Sequence, residues 1–287
     1  MRRLLPLLLA SSALADPPRP ADLGDTWTLT ARGRFDAGDG ANDVSLRSSG
    51  ARLEVLTEMG NVGTWRVSLS AAAAGEAHQL NSGTGPALPT LDFIRELDLG
   101  LVLSRPPQAE GEPTRFYAFE VGSRTADEAG VEEGIAVSFV GGSTWKVNET
   151  LNLGYLILAE DREVESDLVM IVPTFRWAFA PDWSLATGRK ALVLSNQLAK
   201  AETLSLTLGY EGEETRLQSG LAGEEIRLLD QRLYADFGYA WVQSGWNLRA
   251  TLGWELDSEL TFQVAGVETD VDPGQGLRVG LIGRYKF

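Results

Sequence analysis

Apolar and polar residues alternate along most of this chain. Trp27, Leu29, Ala31, Gly33 and Phe35 interleave with Thr26, Thr28, Thr30, Arg32 and Arg34. Leu97, Leu99, Leu101 and Leu103 interleave with Glu96, Asp98, Gly100 and Ser104. Trp246, Leu248, Ala250, Leu252 and Trp254 interleave with Asn247, Arg249, Thr251, Gly253 and Glu255. A period of two marks strands whose two faces meet different surroundings. A soluble β-sandwich also alternates, but here the apolar set is continuous over each long segment. The polar set is rich in Gly, Ser and Thr, with arginine and acid among them. That combination predicts an all-β fold, a transmembrane antiparallel barrel with lipid outside and a wet, polar lumen.

Turn residues divide the pattern into segments near 25–36, 44–59, 63–75, 93–104, 114–124, 134–147, 150–160, 167–180, 183–195, 202–211, 213–220, 226–243, 246–258 and 275–287. That gives fourteen strands; if Leu204 to Leu217 is one strand, twelve becomes the better count. Short turns are expected at Gly60 to Gly63, Asn148-Glu149, Pro181-Asp182 and Gln243 to Gly245. Trp65, Trp145, Trp177, Trp183, Trp241 and Trp246 lie within a few residues of these turns, and Trp27 opens the first strand from the same side. This spacing predicts an aromatic girdle at one membrane interface. Loops near 76–92, 125–133, 161–166 and 259–274 carry much of the acid, including Asp127, Glu128, Glu132, Glu133, Glu160, Asp161, Asp270 and Asp272.

The chain begins MRRLLPLLLASSALA, with a basic start, a short apolar run and Ala13-Leu14-Ala15. This order predicts a signal peptide over residues 1–15, cleaved before Asp16. The apolar run is too short to span a bilayer as a helix. The expected organisation is this leader, a short periplasmic segment over 16–24 and a single barrel over 25–287. At the other end Leu277, Val279, Leu281, Gly283, Tyr285 and Phe287 share one phase, and Phe287 is the last residue. Here the sequence resembles bacterial outer-membrane β-barrel proteins of porin-like type. The stretch Val172 to Trp183, VPTFRWAFAPDW, looks like a turn of an outer-membrane barrel family of unknown function. The resemblance implies location in the outer membrane of a Gram-negative envelope, with lipid and lipopolysaccharide as surroundings. It also implies that Tyr285 and Phe287 form the signal read by the barrel-assembly machinery.

Composition narrows the chemistry. The 287 residues include no Cys and one His, with a formal net charge of −15. No thiolate metal site, Cys nucleophile or disulfide can form. The acidic balance argues against nucleic acid as a partner. No cofactor or metal motif is present, and no phosphate loop or nucleophile elbow. On the polar phase, Arg32, Arg34, Arg66, Glu96, Asp98, Arg249 and Glu255 are the candidate lumen and selectivity residues. Rings of opposed charge in a pore select ions; the same charges would also pair and fill a closed lumen.

Three functions are compatible with this pattern. The first is a channel for passive diffusion of ions or small polar solutes. The second is a closed structural or surface-recognition barrel with acidic outer loops. The third is a lipid-modifying barrel enzyme, for which His78 would be the conventional base; a solvated loop histidine is the plainer expectation for that residue. The oligomeric state is not legible in the sequence.

Overall fold

The computed structural model describes residues 25–36, 45–81, 92–126, 129–161, 168–188, 190–217, 226–264 and 267–286. The leader, the segment 16–24, Asp127, Glu128 and Phe287 lie outside the described residues. The strands are β1 (Thr26–Asp36), β2 (Ser45–Val62), β3 (Trp65–Asn81), β4 (Phe93–Arg105), β5 (Thr114–Ala126), β6 (Ile135–Lys146), β7 (Leu151–Glu160) and β8 (Leu168–Ala180). They continue as β9 (Trp183–Thr187), β10 (Ala191–Ala199), β11 (Glu202–Leu217), β12 (Ile226–Gln243), β13 (Trp246–Val264), β14 (Val267–Val271) and β15 (Gly276–Lys286).

Fourteen of these strands form a closed antiparallel barrel, and β14 folds back on β13 outside the ring. The ring closes where β15 pairs with β1 from Thr26↔Lys286 to Asp36↔Gly276. Closure pairs the strands all round the short-turn end, the condition for a sheet in lipid; toward the loop end the short β9 leaves Leu168 to Thr174 of β8 without a ladder on that side among the described residues. The alternation becomes two faces. Leu29, Leu97, Leu99, Leu206, Leu252 and Leu281 point out and are exposed. Arg34, Glu96, Asp98 and Glu255 on the opposite phase point in and are buried.

The seven girdle tryptophans, Trp27, Trp65, Trp145, Trp177, Trp183, Trp241 and Trp246, all lie on the outward phase at the short-turn end. Trp27 and Trp246 both stand opposite Tyr285 across β15, and the Trp246 and Tyr285 rings are 4.8 Å apart. The turn between β12 and β13 is two residues, Ser244 and Gly245, with φ of 49° and 86°. Two consecutive left-handed residues give the hairpin turn that follows strand twist, and glycine takes the second place without strain.

The structure revises the expected partition between 183 and 220. The segment 183–195 is two strands, β9 and β10, because the chain reverses after Thr187 with Gly188 N–H donating to Ala191 O at 2.7 Å. The expected pair 202–211 and 213–220 is one strand, β11, held by β12 residue for residue from Glu202↔Trp241 to Leu217↔Ile226. The two changes offset, and the count remains fourteen. The expected loop 76–92 begins later, since β3 runs on to Asn81, and the loop 259–274 contains the end of β13 and β14.

The wall is uneven. β2, β12 and β13 have 18, 18 and 19 residues, while β9 and β10 have 5 and 9. β10 accompanies β11 only as far as Ala191↔Gly209. Beyond that level β11 leans across the ring, and Arg216 pairs in parallel with Thr125 on β5. β6 leaves β5 at Ser123↔Ile135, which frees that edge of β5 for β11. The loop end is therefore a narrower ring that bypasses β6 to β10.

Leu99, mid-strand and 69% exposed on the outer face of β4, tests the lipid-facing assignment. Leu99→Arg should destabilise the barrel by about 2–4 kcal/mol in urea unfolding from phospholipid vesicles. Val131→Arg, in the turn after β5, should change it by less than about 1 kcal/mol. Equal effects at the two positions would contradict the assignment.

Candidate functional site

Inward-facing side chains form three zones. At the loop end Leu46, Ile94, Ala126, Leu217, Leu228, Leu260, Phe262 and Val271 make a buried apolar layer. Toward the short-turn end Val102, Phe116, Ala118, Val140, Leu156 and Leu158 make a second apolar patch on β4 to β7. The expectation of a wet, polar lumen throughout is corrected here: the charges occupy a band, with apolar surface on both sides of it.

The band contains two chains of ion pairs. In the first, Arg52 on β2 pairs with Glu96 and, at 2.7 Å, with Asp98, both on β4. Arg124 on β5 pairs with Glu96 at 3.0 Å, Glu213 at 2.5 Å and Glu76 at 3.6 Å. Arg32 on β1 reaches Glu76 at 3.0 Å and Glu213 at 3.5 Å. In the second, Arg34 lies 2.7 Å from Glu255 and donates to Gly274 O at 2.9 Å. Arg232 pairs with Asp230 and lies 3.7 Å from Glu255. Arg278 pairs with Glu211 at 2.9 Å and Asp236 at 3.6 Å, and its guanidinium stacks 3.9 Å from the centre of the Tyr234 ring.

These contacts reach across the lumen, between strands far apart in sequence. Removed from water, a charge is tolerated when an opposite charge and further hydrogen bonds replace its hydration. Arg34 and Glu255 are the extreme case, with side chains 2% and 0% exposed. A wide water-filled pore at this level would leave such groups wet.

The structure brings Arg32, Arg34, Glu96, Asp98 and Glu255 into the two chains. Arg249 stands apart, donating to the Ser205 and Thr207 hydroxyls at 3.2 and 3.3 Å. Arg66 lies at the short-turn end of β3, half-buried opposite Ser104 and Asn61. Sequence reasoning did not single out Arg52, Glu76, Glu211, Glu213, Asp230, Arg232 and Asp236 as site residues. Their signal was the strand phase: Arg52 and Glu76 follow the inward phase of β2 and β3. Glu213 was hidden because a strand break was expected at residue 212.

His78 is not a solvated loop residue. It sits in β3, 3% exposed, with its ring 3.6 Å from Glu76. Its cross-strand neighbour is Ser48, and neither ring nitrogen makes a hydrogen bond among the described residues. That arrangement supplies no activated hydroxyl. Among the described residues no group of three or more His, Asp or Glu could hold a metal ion.

A cleft of about 140 Å³ lies between β5, β6 and β7 on one side and the leaning part of β11 on the other, and Glu96, Asp98, Arg124 and Glu213 of the band form part of its lining. Eight carboxylates line it, among them Glu120, Glu133, Glu160, Asp161 and Glu214, against the three arginines Arg124, Arg216 and Arg227.

Glu255 faces Arg34, Arg232 and Arg278, the last at 3.7 Å, so Glu255→Ala should cost about 3–5 kcal/mol in urea unfolding of the refolded barrel. Combining it with Arg34→Met should cost less than the sum of the two single changes. Strict additivity would show that the two residues do not interact.

No protein-family model matches the chain, and neither does any curated protein. Solved structures do. The COG4313 outer membrane channel from Pseudomonas putida F1 is 11% identical, with a TM-score of 0.50 over 97% of this chain and 100% of that one. The toluene transporter TodX from Pseudomonas putida is 10% identical, with a TM-score of 0.41 over 93% and 91%. LpxR from Salmonella typhimurium is 11% identical, with a TM-score of 0.36 over 91% and 100%. At such identity the likeness is one of fold: the chain has the closed antiparallel barrel of outer-membrane proteins.

Proposed function

We propose that this chain is an outer-membrane channel for ions and small polar solutes. Its passage runs off the barrel axis, through the acidic cleft between β11 and the β5–β7 wall, and prefers cations. The observation that carries the reading is the lean of β11. It closes the tall side of the barrel around packed charges and apolar residues, and it leaves a charged cleft over the short side. Outside the two chains of ion pairs the cleft is lined by five carboxylates, Glu120, Glu133, Glu160, Asp161 and Glu214, and two arginines, Arg216 and Arg227, a balance that lowers the energy of a cation there relative to an anion. Residues 1–15 would direct export, and the last strand, with Tyr285 and Phe287, would be the part the assembly machinery reads.

A second reading has its own support. The paired band and the apolar layer above it also suit a closed structural barrel.

Planar-bilayer recording separates the two. The refolded mature chain should give discrete openings, with a cation-preferring reversal potential in a tenfold potassium chloride gradient. Glu120→Gln combined with Glu160→Gln should move that potential toward zero. Silence from protein shown to be folded by heat-shifted gel mobility would favour the closed barrel.

A further inference from the structure

We propose that the loop-end halves of β11 and β12 form a hinged lid, which pivots at the Gly209–Tyr234 pair and is latched by Glu213 between Arg32 and Arg124. The proposal rests on the channel reading and assigns its regulation to this hairpin.

Three features converge on the pivot. The β10–β11 ladder ends at Gly209, followed by one bond from Tyr210 N–H to Lys190 O at 3.0 Å and one from Lys190 Nζ to Gly212 O at 3.5 Å. Gly209 is paired with Tyr234, and a side chain at 209 would lie 2.5 Å from that ring, so the ring can lie over this position only because it is glycine. The β12–β13 register slips between Leu233 and Tyr234, a bulge at the same level. Bulges and strand glycines are where a sheet bends. Below the pivot β11 is held by ladders on both sides. Above it the ladders of β11 to β12 and of β12 to β13 continue, from Ile226↔Val264 to Leu233↔Asp257 in the latter, while β13 leaves β15 at Glu255↔Gly276, so the end of β13 moves with the lid. The opposite edge of β11 meets β5 through one bridge pair among the described residues, Arg216↔Thr125.

Side chains hold the lid down. Glu213 meets Arg124 at 2.5 Å and Arg32 at 3.5 Å. Arg124 Nε donates to Thr215 Oγ1 at 2.8 Å, and Arg216 donates to Glu133 O at 2.6 Å. A continuous ladder holds a strand at every residue. Leu217 and Leu228 of the lid also pack in the apolar layer. Removing the charge of Glu213 weakens the latch, because charge-assisted hydrogen bonds contribute more than neutral ones. Swung away from β5, the hairpin would merge the acidic cleft with the lumen beneath the apolar layer into one passage.

The chain has no cysteine, so a designed pair reports on the lid alone. Thr125→Cys with Arg216→Cys joins the bridge partners when oxidised with copper phenanthroline and frees them in dithiothreitol. In planar bilayers the oxidised full mature chain should be silent and reduction should restore openings. Glu213→Gln, without any cysteine, should raise open probability by about tenfold or more. Equal openings in the oxidised and reduced states, with the bond verified by mass, overturn the lid and leave the channel reading standing. Silence of the wild type, the reduced pair and Glu213→Gln alike, all folded by gel mobility, overturns both.

Discussion

Arg124 and Glu213 lie on strands that are not neighbours around the lower ring, and the shape of the loop end depends on their meeting. The ladder to β10 ends at Ala191↔Gly209, and past the bond from Tyr210 N–H to Lys190 O the rest of β11 meets no further strand on that edge unless it bends inward. Bending puts Glu213 against Arg124 and Thr215 against the same guanidinium, while Arg216 finds the edge of β5 that β6 has left. The β5 edge left by β6 is the one that β11 takes up. The narrower ring, the packed layer inside it and the cleft outside it all follow from that one exchange of partners.

The same exchange sets the electrostatics. A ring fourteen strands wide would hold its inward charges too far apart to pair across the lumen. Narrowing draws β1, β3, β4, β5 and β11 close enough for Arg32, Glu76, Glu96, Arg124 and Glu213 to satisfy one another. Removing water from such groups is unfavourable, and mutual pairing offsets the penalty without making the cluster a large source of stability. What the pairs add is position, since a guanidinium with two or three carboxylates around it admits few arrangements.

Much of the fold was legible because a two-sided wall imposes its period on every strand. The inward placement of Arg34, Glu96, Asp98 and Glu255 followed from phase alone, as did the outward tryptophans near the short turns. The segment 183–220 was misread for a local reason. Gly212 and the acids around it look like a turn, and Gly188 looks like part of a strand, when neighbours are ignored. In the fold, pairing with β12 carries β11 straight through Gly212, and loss of pairing lets the chain turn at Gly188. His78 was expected in a solvated loop, because the end of β3 depends on how far β2 accompanies it.

By itself, the sequence determined which side of each strand faces lipid and which faces inward, and where most strands end. Those are properties of residue type and period, and each is written within a dozen consecutive residues. Only the tertiary structure decided which inward charges pair, that apolar residues flank them above and below, and that one hairpin crosses the mouth. The physical reason is that register and strand length add up around the whole ring. A contact such as Arg34 with Glu255 joins residues more than two hundred positions apart, and no local pattern encodes the distance between them.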